Sequence, residues 1–253
     1  MDYVFDGTFK GLLTAVFDCF ERKDFQARLY AKATHQNTIF GIIHQVYTDE
    51  AAAARVWKGL LKKLPAQEVR KLYVAFLSEL PEGYSKIFKV IIDVFKNGGD
   101  ILKNYGDADV LFINQLAKKV DREKHRMKAF VRFQKSSDGL YFSMIEPDFN
   151  VLPLIAKFFK DRYADQQWLI YEKRRGCGFF YDKDIVNEIE LSISEGASSA
   201  VEKYIALDAD ELKYNTLWQD YFKSTNIIAR KNTKLHVRHV PKRYWKYLTE
   251  KQA

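Results

Sequence analysis

The sequence predicts an α+β fold, in which an antiparallel sheet built from two hairpins around a helix is packed by further helices. Three observations predict it. Helical periodicity dominates residues 49–127, strand-like segments follow from about residue 128, and 47% of the 253 residues are apolar. We see no linker-like segment, so we expect one compact domain over residues 1–253, with a helical lobe at 49–127 and a basic C-terminal tail at 221–253.

The first 48 residues predict two strands and a helix. Residues 2–5 form a short apolar run before Asp6-Gly7-Thr8, which is typical of a turn. Apolar side chains then recur at helical spacing from Phe9 to Phe20, which predicts an amphipathic helix. Residues 38–47 are rich in β-branched and aromatic side chains, which favours a second strand.

Helix-breaking proline and glycine residues divide the helical part of the sequence. One periodic segment ends at Pro65, the next at Pro81 and a third at Asn97-Gly98-Gly99. A fourth helix is expected from about 107 to 126.

The second half is expected to supply the sheet. The segments KAFVRFQ and LYFSMIE flank a Gly-containing loop and predict one hairpin, and QWLIYEKRR with FFYD predicts another. The segment VLPLIAKFFKDRYA between them predicts a helix, with Pro153 in its first turn, where no intrahelical donor is lost. Two or three helices are expected between about 184 and 228.

Composition excludes several classes of protein. Two cysteines far apart do not form a disulfide scaffold, and no window approaches 18 uninterrupted apolar residues. No basic region precedes an apolar core at the start, so we expect no secretory signal and a cytoplasmic location without membrane contact.

The net charge of +8 is unevenly distributed. Residues 221–253 carry nine Lys or Arg against Glu250, a net +8 that equals the charge of the whole chain. Residues 118–135 carry a net +6, and residues 182–220 a net −7. Basic blocks with interleaved aromatic rings favour nucleic acid, because cations bind phosphates and rings stack on exposed bases. The alternative is a basic tail that pairs with the acidic block within one molecule.

Basic residues on neighbouring predicted elements indicate a groove for a phosphate backbone. Its candidate nucleic-acid-binding residues are Arg126, Lys128, Arg132, Arg162, Lys173, Arg174 and Arg175, with Tyr244 and Trp245 in the tail. The alternative is a set of surface ion pairs with Asp121, Glu123, Asp161 and Glu172.

No catalytic motif is evident. The sequence lacks GxxxxGK[ST], GxGxxG, HExxH, paired CxxC and GxSxG. His236 and His239 lack further ligands, and Cys177 lacks a nearby base, so we expect neither a metal nor a cofactor. Glu146 and Asp148 are weak catalytic candidates, since paired carboxylates can hold a metal or act as a general base, although Asp148 also suits a helix cap.

Three segments resemble a bacterial family of DNA-metabolism proteins that is a domain of unknown function. They are YVFDGTFKGLLTAVFDCF, the block from RMKAFVRFQ to GCGFFYD, and PKRYWKYLTE. The family is encoded beside a radical-SAM protein or fused ahead of a uracil-DNA-glycosylase-type domain. The resemblance implies a role beside those partners in DNA repair or modification. It also implies a functional surface whose residues are Arg126, Arg132, Glu146, Asp148, Arg162, Trp168, Tyr171, Arg174, Arg175, Arg243, Tyr244 and Trp245.

Three functions follow as expectations. The first is a DNA-binding accessory protein that presents DNA to its partner enzyme. The second is a nucleic-acid-processing enzyme that uses Glu146 or Asp148 with arginines as charge stabilisers. The third is a protein–protein adaptor for the partner enzyme.

Overall fold

The computed structural model describes residues 1–35, 42–190, 208, 210–225 and 232–251. The chain divides into two compact units, Met1–Asp121 and Arg122–Ala253, and the boundary falls inside a long helix. That the two act as one domain stays a prediction. The α+β class predicted from the sequence is confirmed, because both helices and sheets are present.

Unit 1 contains a small parallel sheet. Strand β1 (Asp2–Phe5) lies between β2 (Arg28–Ala31) and β3 (Ile43–Gln45), and both neighbours run parallel to it. Helix α1 (Phe9–Arg22) carries the chain from β1 to β2, and such a crossover allows parallel pairing. The predicted second strand, 38–47, includes β3, whereas residues 36–41 lie outside the described residues. Sequence reasoning missed β2.

Helices occupy most of the remainder of unit 1. The first ends just before Pro65 and the third just before Gly98, as expected, but the second ends at Phe76 and Pro81 begins the next helix. Gly98 follows the third of these helices with φ +93°, a conformation that favours glycine, and its N–H bonds to the carbonyl of Val94. The helices are α2 (Glu50–Lys63), α3 (Ala66–Phe76), α4 (Pro81–Asn97) and α5 (Ala108–Phe130), with a 3₁₀ turn at Gly99–Lys103.

Unit 2 is built on a five-stranded sheet with the order β4-β5-β6-β7-β8. The strands are β4 (Gln134–Lys135), β5 (Tyr141–Ile145), β6 (Trp168–Glu172), β7 (Cys177–Tyr181) and β8 (Val186–Glu190). Three neighbouring pairs are antiparallel, but β5 and β6 are parallel. The expectation of a purely antiparallel sheet is therefore wrong. Helix α6 (Leu152–Arg162) explains the difference, because it carries the chain back to the starting end of β5 before β6 begins.

The remaining elements of unit 2 follow the sheet. Residues 186–190, expected to be helical, form β8 and pair with β7. Helix α7 spans Glu211–Thr225 and α8 spans Thr233–His239, and 3₁₀ turns follow at Lys242–Tyr247 and Thr249–Lys251. The described part of the basic tail is folded: Tyr244 and Leu248 are both buried. None of the helices in the described ranges combines the length and hydropathy that a bilayer crossing requires.

Candidate nucleic-acid interface

A cavity of about 800 Å³ lies within unit 2. Its walls come from the end of α5 and the residues that follow it, from β5, from α6 with its C-terminal turn, and from α7. Aromatic rings supply much of the lining. The rings are those of Phe133, Tyr141, Phe158, Phe159, Tyr163, Tyr214 and Trp218.

The inner rings of the cavity are packed against one another. The ring centre of Phe133 lies 5.7 Å from that of Phe159 and 5.4 Å from that of Tyr163, and both pairs meet edge to face. Phe159 and Tyr163, four residues apart, lie nearly parallel at 6.2 Å. Trp168 on β6 supports this group from the core, at 6.3 Å from both Phe133 and Phe159. Such mutual packing gives the cavity a preformed wall.

The rings of α7, by contrast, are open to solvent. Tyr214 and Trp218 stand one helical turn apart and are 62% and 41% exposed. Two bonds fix the beginning of this helix to β4: the backbone N–H of Lys135 donates to Glu211 at 3.1 Å, and the Lys135 ammonium pairs with Asp208 at 3.0 Å. Flat rings held at an open cavity are suited to stacking against a planar ligand.

Three of the predicted cations line this cavity. The Lys128 ammonium lies 4.6 Å from the ring centre of Phe158, and the Arg162 guanidinium lies 5.8 Å from that of Tyr163. In the described part of the chain neither side chain pairs with a carboxylate. Arg132, the third cation, is bound by Glu250 at 2.8 Å. Cations beside open rings are the combination that a nucleotide requires, phosphate and base together.

Glu250 links the tail to this cavity. Besides Arg132, the indole N–H of Trp218 donates to this carboxylate at 3.0 Å. Burial alone would raise the pKa of Glu250, but the bonds from Arg132 and Trp218 contribute to a net lowering below its usual value. The carboxylate therefore stays charged at neutral pH and holds both side chains in place.

A second cluster surrounds Glu123, which is 1% exposed. Its carboxylate accepts from the Tyr244 hydroxyl and from the backbone N–H of Asp148, and it lies 3.4 Å from Arg126 and 3.5 Å from Arg243. Burial and the Glu123 carboxylate raise the pKa of Tyr244 well above its usual value, so the hydroxyl remains a donor. This cluster fixes the tail to α5 and is structural in character.

The two weak catalytic candidates also bind the tail. Glu146 accepts from the Lys246 ammonium and, at 2.7 Å, from the Tyr247 hydroxyl. Asp148 pairs with Arg243 at 2.7 Å. Neither carboxylate lines the 800 Å³ cavity. The bonds from Lys246 and Tyr247 hold the pKa of Glu146 below its usual value, which makes it a weaker base.

The arginines at the tip of the second hairpin are occupied with the neighbouring backbone. Arg174 donates to the carbonyl of Asp148 at 3.1 Å, and Arg175 donates to the same carbonyl at 3.4 Å and to the buried carboxylate of Glu172. Lys173 is exposed beside them. Some of the arginines proposed for the binding surface thus form ion pairs with Glu123 and Glu172. Ion pairing of this kind is the alternative that the sequence left open.

Several predicted aromatic residues lie inside the fold. Trp168, Tyr171 and Tyr244 are each no more than 2% exposed, so their ring faces are not available to a ligand and we assign them to the core. Trp245 is half-buried, and its indole N–H donates to the carbonyl of Val240 at 3.0 Å. Within the described residues no group of three or more His, Cys, Asp or Glu side chains could hold a metal ion.

Sequence reasoning missed the two open rings, Tyr214 and Trp218. Both lie in the acidic block 182–220, where the charge pattern gives no indication of exposed rings. The available signal was the i, i+4 pair of large aromatics in a polar helix. Two large exposed rings one turn apart on a polar helix mark a candidate binding patch.

Acid should weaken the contact between Glu146 and the tail. Because its folded pKa lies below the usual 4.5, this carboxylate stabilises the fold above about pH 4.5, and the contribution is lost as the pH falls through the folded value. We expect the urea midpoint of the Glu146→Gln variant to fall less than that of the wild type between pH 5 and 3.5. Lys246→Met, which removes the partner, should show the same reduced slope. Parallel profiles for all three proteins would contradict this assignment.

Neither a curated protein nor a solved structure matches this chain significantly. The model of one family, a domain of unknown function (DUF4130), matches residues 81–250. That range is more than half of the chain and includes every residue that lines the 800 Å³ cavity. The chain therefore belongs to the DUF4130 family.

Proposed function

We propose that this protein is a DNA-binding accessory protein of the bacterial cytoplasm that holds unpaired bases in the 800 Å³ cavity of unit 2. The observation that carries the proposal is the lining of that cavity, where exposed rings stand beside two cations that pair with no carboxylate among the described residues. Stacking on Tyr214 and Trp218 would hold a base, and Lys128 and Arg162 would hold the adjoining phosphates. The volume of this cavity, about 800 Å³, is within the range of pockets that enclose a small organic ligand.

The alternatives have less support from the same contacts. An enzyme that uses Glu146 or Asp148 would need a substrate-sized space at those carboxylates, but both are bound to Lys246, Tyr247 or Arg243. The partner, a radical-SAM protein or a uracil-DNA-glycosylase-type enzyme, and the role in DNA repair or modification rest on the family resemblance. We include both in the proposal as the context in which the bound base would be presented.

The test is fluorescence anisotropy with a labelled 12-nucleotide single strand and with the corresponding duplex. We expect the single strand to bind more tightly, because only unpaired bases can enter the cavity. Trp218→Ala should weaken its binding by about tenfold, since stacking contributes about 1–3 kcal/mol per base. Trp218→Phe, which keeps a ring but loses the N–H donor to Glu250, should retain most of the affinity.

A matched control is available in unit 1. Tyr105 is an exposed aromatic side chain at 57%, and Tyr105→Ala should leave binding unchanged. The proposal fails if neither DNA binds at low salt, or if Trp218→Ala binds as tightly as the wild type while remaining folded. A preference for the duplex would also contradict it.

A further inference from the structure

A separate groove of about 480 Å³ lies in unit 1, between α1 and α2. Its floor is entirely apolar and comes from α1, α2 and α4. The floor residues are Val16, Phe17, Phe20, Val56, Gly59 and Phe95. A Cβ at Gly59 would lie 2.8 Å from the Phe95 ring, so the absence of a side chain lets that ring close the bottom of the groove.

Cations form one rim of the groove. Arg55, Lys58 and Lys62 all lie on α2 and are exposed, and none pairs with a carboxylate among the described residues. Glu21 is the one acidic residue among the described residues of the lining. The Arg55 guanidinium lies 5.6 Å from the ring centre of Phe17, which keeps its charge at the edge of the apolar floor. The groove therefore combines apolar surface with a net positive rim.

The spacing of these cations indicates the kind of ligand. Positions 55, 58 and 62 follow one face of α2, and at 1.5 Å per residue they extend along about 10 Å of its axis. One small anion could contact only part of such a row. A helix with carboxylates every three or four residues has the same spacing and can contact the whole row.

The apolar floor of the groove also favours a peptide over a nucleic acid as its ligand. Phe20 packs edge to face against Phe25 at 5.2 Å and against Phe95 at 5.8 Å, so these rings are engaged with each other. Among the described lining residues there is no hydroxyl or amide side chain that could recognise a base. Apolar side chains of a helix suit this floor better than bases do.

We infer that this groove binds an acidic amphipathic helix of a partner protein. The apolar face of that helix lies on the floor of the groove, and its carboxylates contact Arg55, Lys58 and Lys62. The inference does not depend on DNA binding by unit 2, because it uses different residues in the other unit of the chain.

The probe is a fluorescein-labelled 15-residue peptide of Glu, Ala and Leu, with leucines at helical spacing and glutamates along one flank. Anisotropy with the full-length protein should show saturable binding. Replacing all leucines of the peptide by serine keeps its charge and should weaken binding at least tenfold. Equal binding of the two peptides would reduce the interaction to charge alone and would overturn the inference, as would absence of binding.

Variants of the protein complete the test. The triple reversal Arg55→Glu, Lys58→Glu and Lys62→Glu should weaken binding of the acidic peptide at least about tenfold. A charge-matched control reverses Lys32, Lys118 and Lys119, which are exposed in unit 1 and do not line the groove, and it should retain the affinity. Equal losses in both triples would contradict the inference. Glu21→Gln removes the one acid of the lining and should tighten binding several-fold, whereas weaker binding would count against the proposed site.

Discussion

Replacing Glu123 by alanine is expected to destabilise unit 2 by about 2–6 kcal/mol, because it removes a buried carboxylate that accepts two hydrogen bonds, each costing about 1–3 kcal/mol when its donor is left unpaired. The substitution would leave the Tyr244 hydroxyl and the backbone N–H of Asp148 without their acceptor, and Arg126 and Arg243 without a charge partner at this point. The measurement is urea unfolding followed by circular dichroism. Hydrogen exchange should show lost protection at residues 242–247, which Glu123 fixes to α5.

One further variant isolates a part of this effect, and another serves as a control. Tyr244→Phe removes only the hydroxyl and should cost about 1.5–3 kcal/mol, the usual range for a hydrogen bond to a charged group. Glu50→Ala disrupts an ion pair with Lys10 whose partners are both exposed, and should leave the unfolding midpoint nearly unchanged. If Glu123→Ala unfolds at the same urea concentration as the wild type, the cluster does not hold the tail.

The first sheet illustrates what a sequence pattern leaves undetermined. Strand β1 can be predicted from the sequence because Tyr3, Val4 and Phe5 form a consecutive apolar run. All three are buried, as a central parallel strand requires. Strand β2, with the sequence RLYA, has only four residues and an exposed arginine, and nothing local marks it. Its existence depends on pairing with β1, a contact between residues 26 positions apart. Pairing partners at that distance are set by tertiary structure and not by local propensity.

The parallel pairing of β5 and β6 was likewise not predicted. Both hairpin turns are visible in the sequence, and so is the intervening helix. The antiparallel expectation ignored that a strand–helix–strand connection returns the chain to the same end of the sheet. A rule of topology would have corrected the prediction.

The candidate site was predictable in its charges but not in its rings. Basic residues on neighbouring predicted elements include Lys128, Arg132 and Arg162, and the structure places all three at one cavity. Charge density did not indicate which cations are already paired: Arg126, Arg175 and Arg243 contact buried carboxylates of Glu123 or Glu172. Arg126 and Arg175 each lie three residues from their acid in the sequence, but only the fold shows that these acids are buried and that the distant Arg243 also reaches Glu123.

Reversing the charge of Lys128 and Arg162, which pair with no carboxylate in the part of the chain that the structure describes, should have the largest effect on DNA binding. In the Lys128→Glu, Arg162→Glu double variant, two phosphate contacts become repulsive. Charge-assisted hydrogen bonds contribute about 1.5–3 kcal/mol each, so single-strand affinity should fall by about 100-fold or more. The plot of log affinity against log salt should become shallower by about 1.4, since each single-strand phosphate contact contributes about 0.7.

The control for this variant carries the same change of charge elsewhere in unit 2. Lys157 and Lys183 are exposed and do not line the cavity, so Lys157→Glu with Lys183→Glu should weaken binding only slightly and keep the wild-type salt slope. Equal losses in the two double variants would mean that net charge, and not the cavity, determines affinity. An unchanged salt slope in the cavity variant would show that Lys128 and Arg162 do not contact phosphates. The combination of a large loss, a shallower slope and an unaffected control would locate the bound strand at the rings of Tyr214 and Trp218, because the two cations stand at the same cavity as those rings.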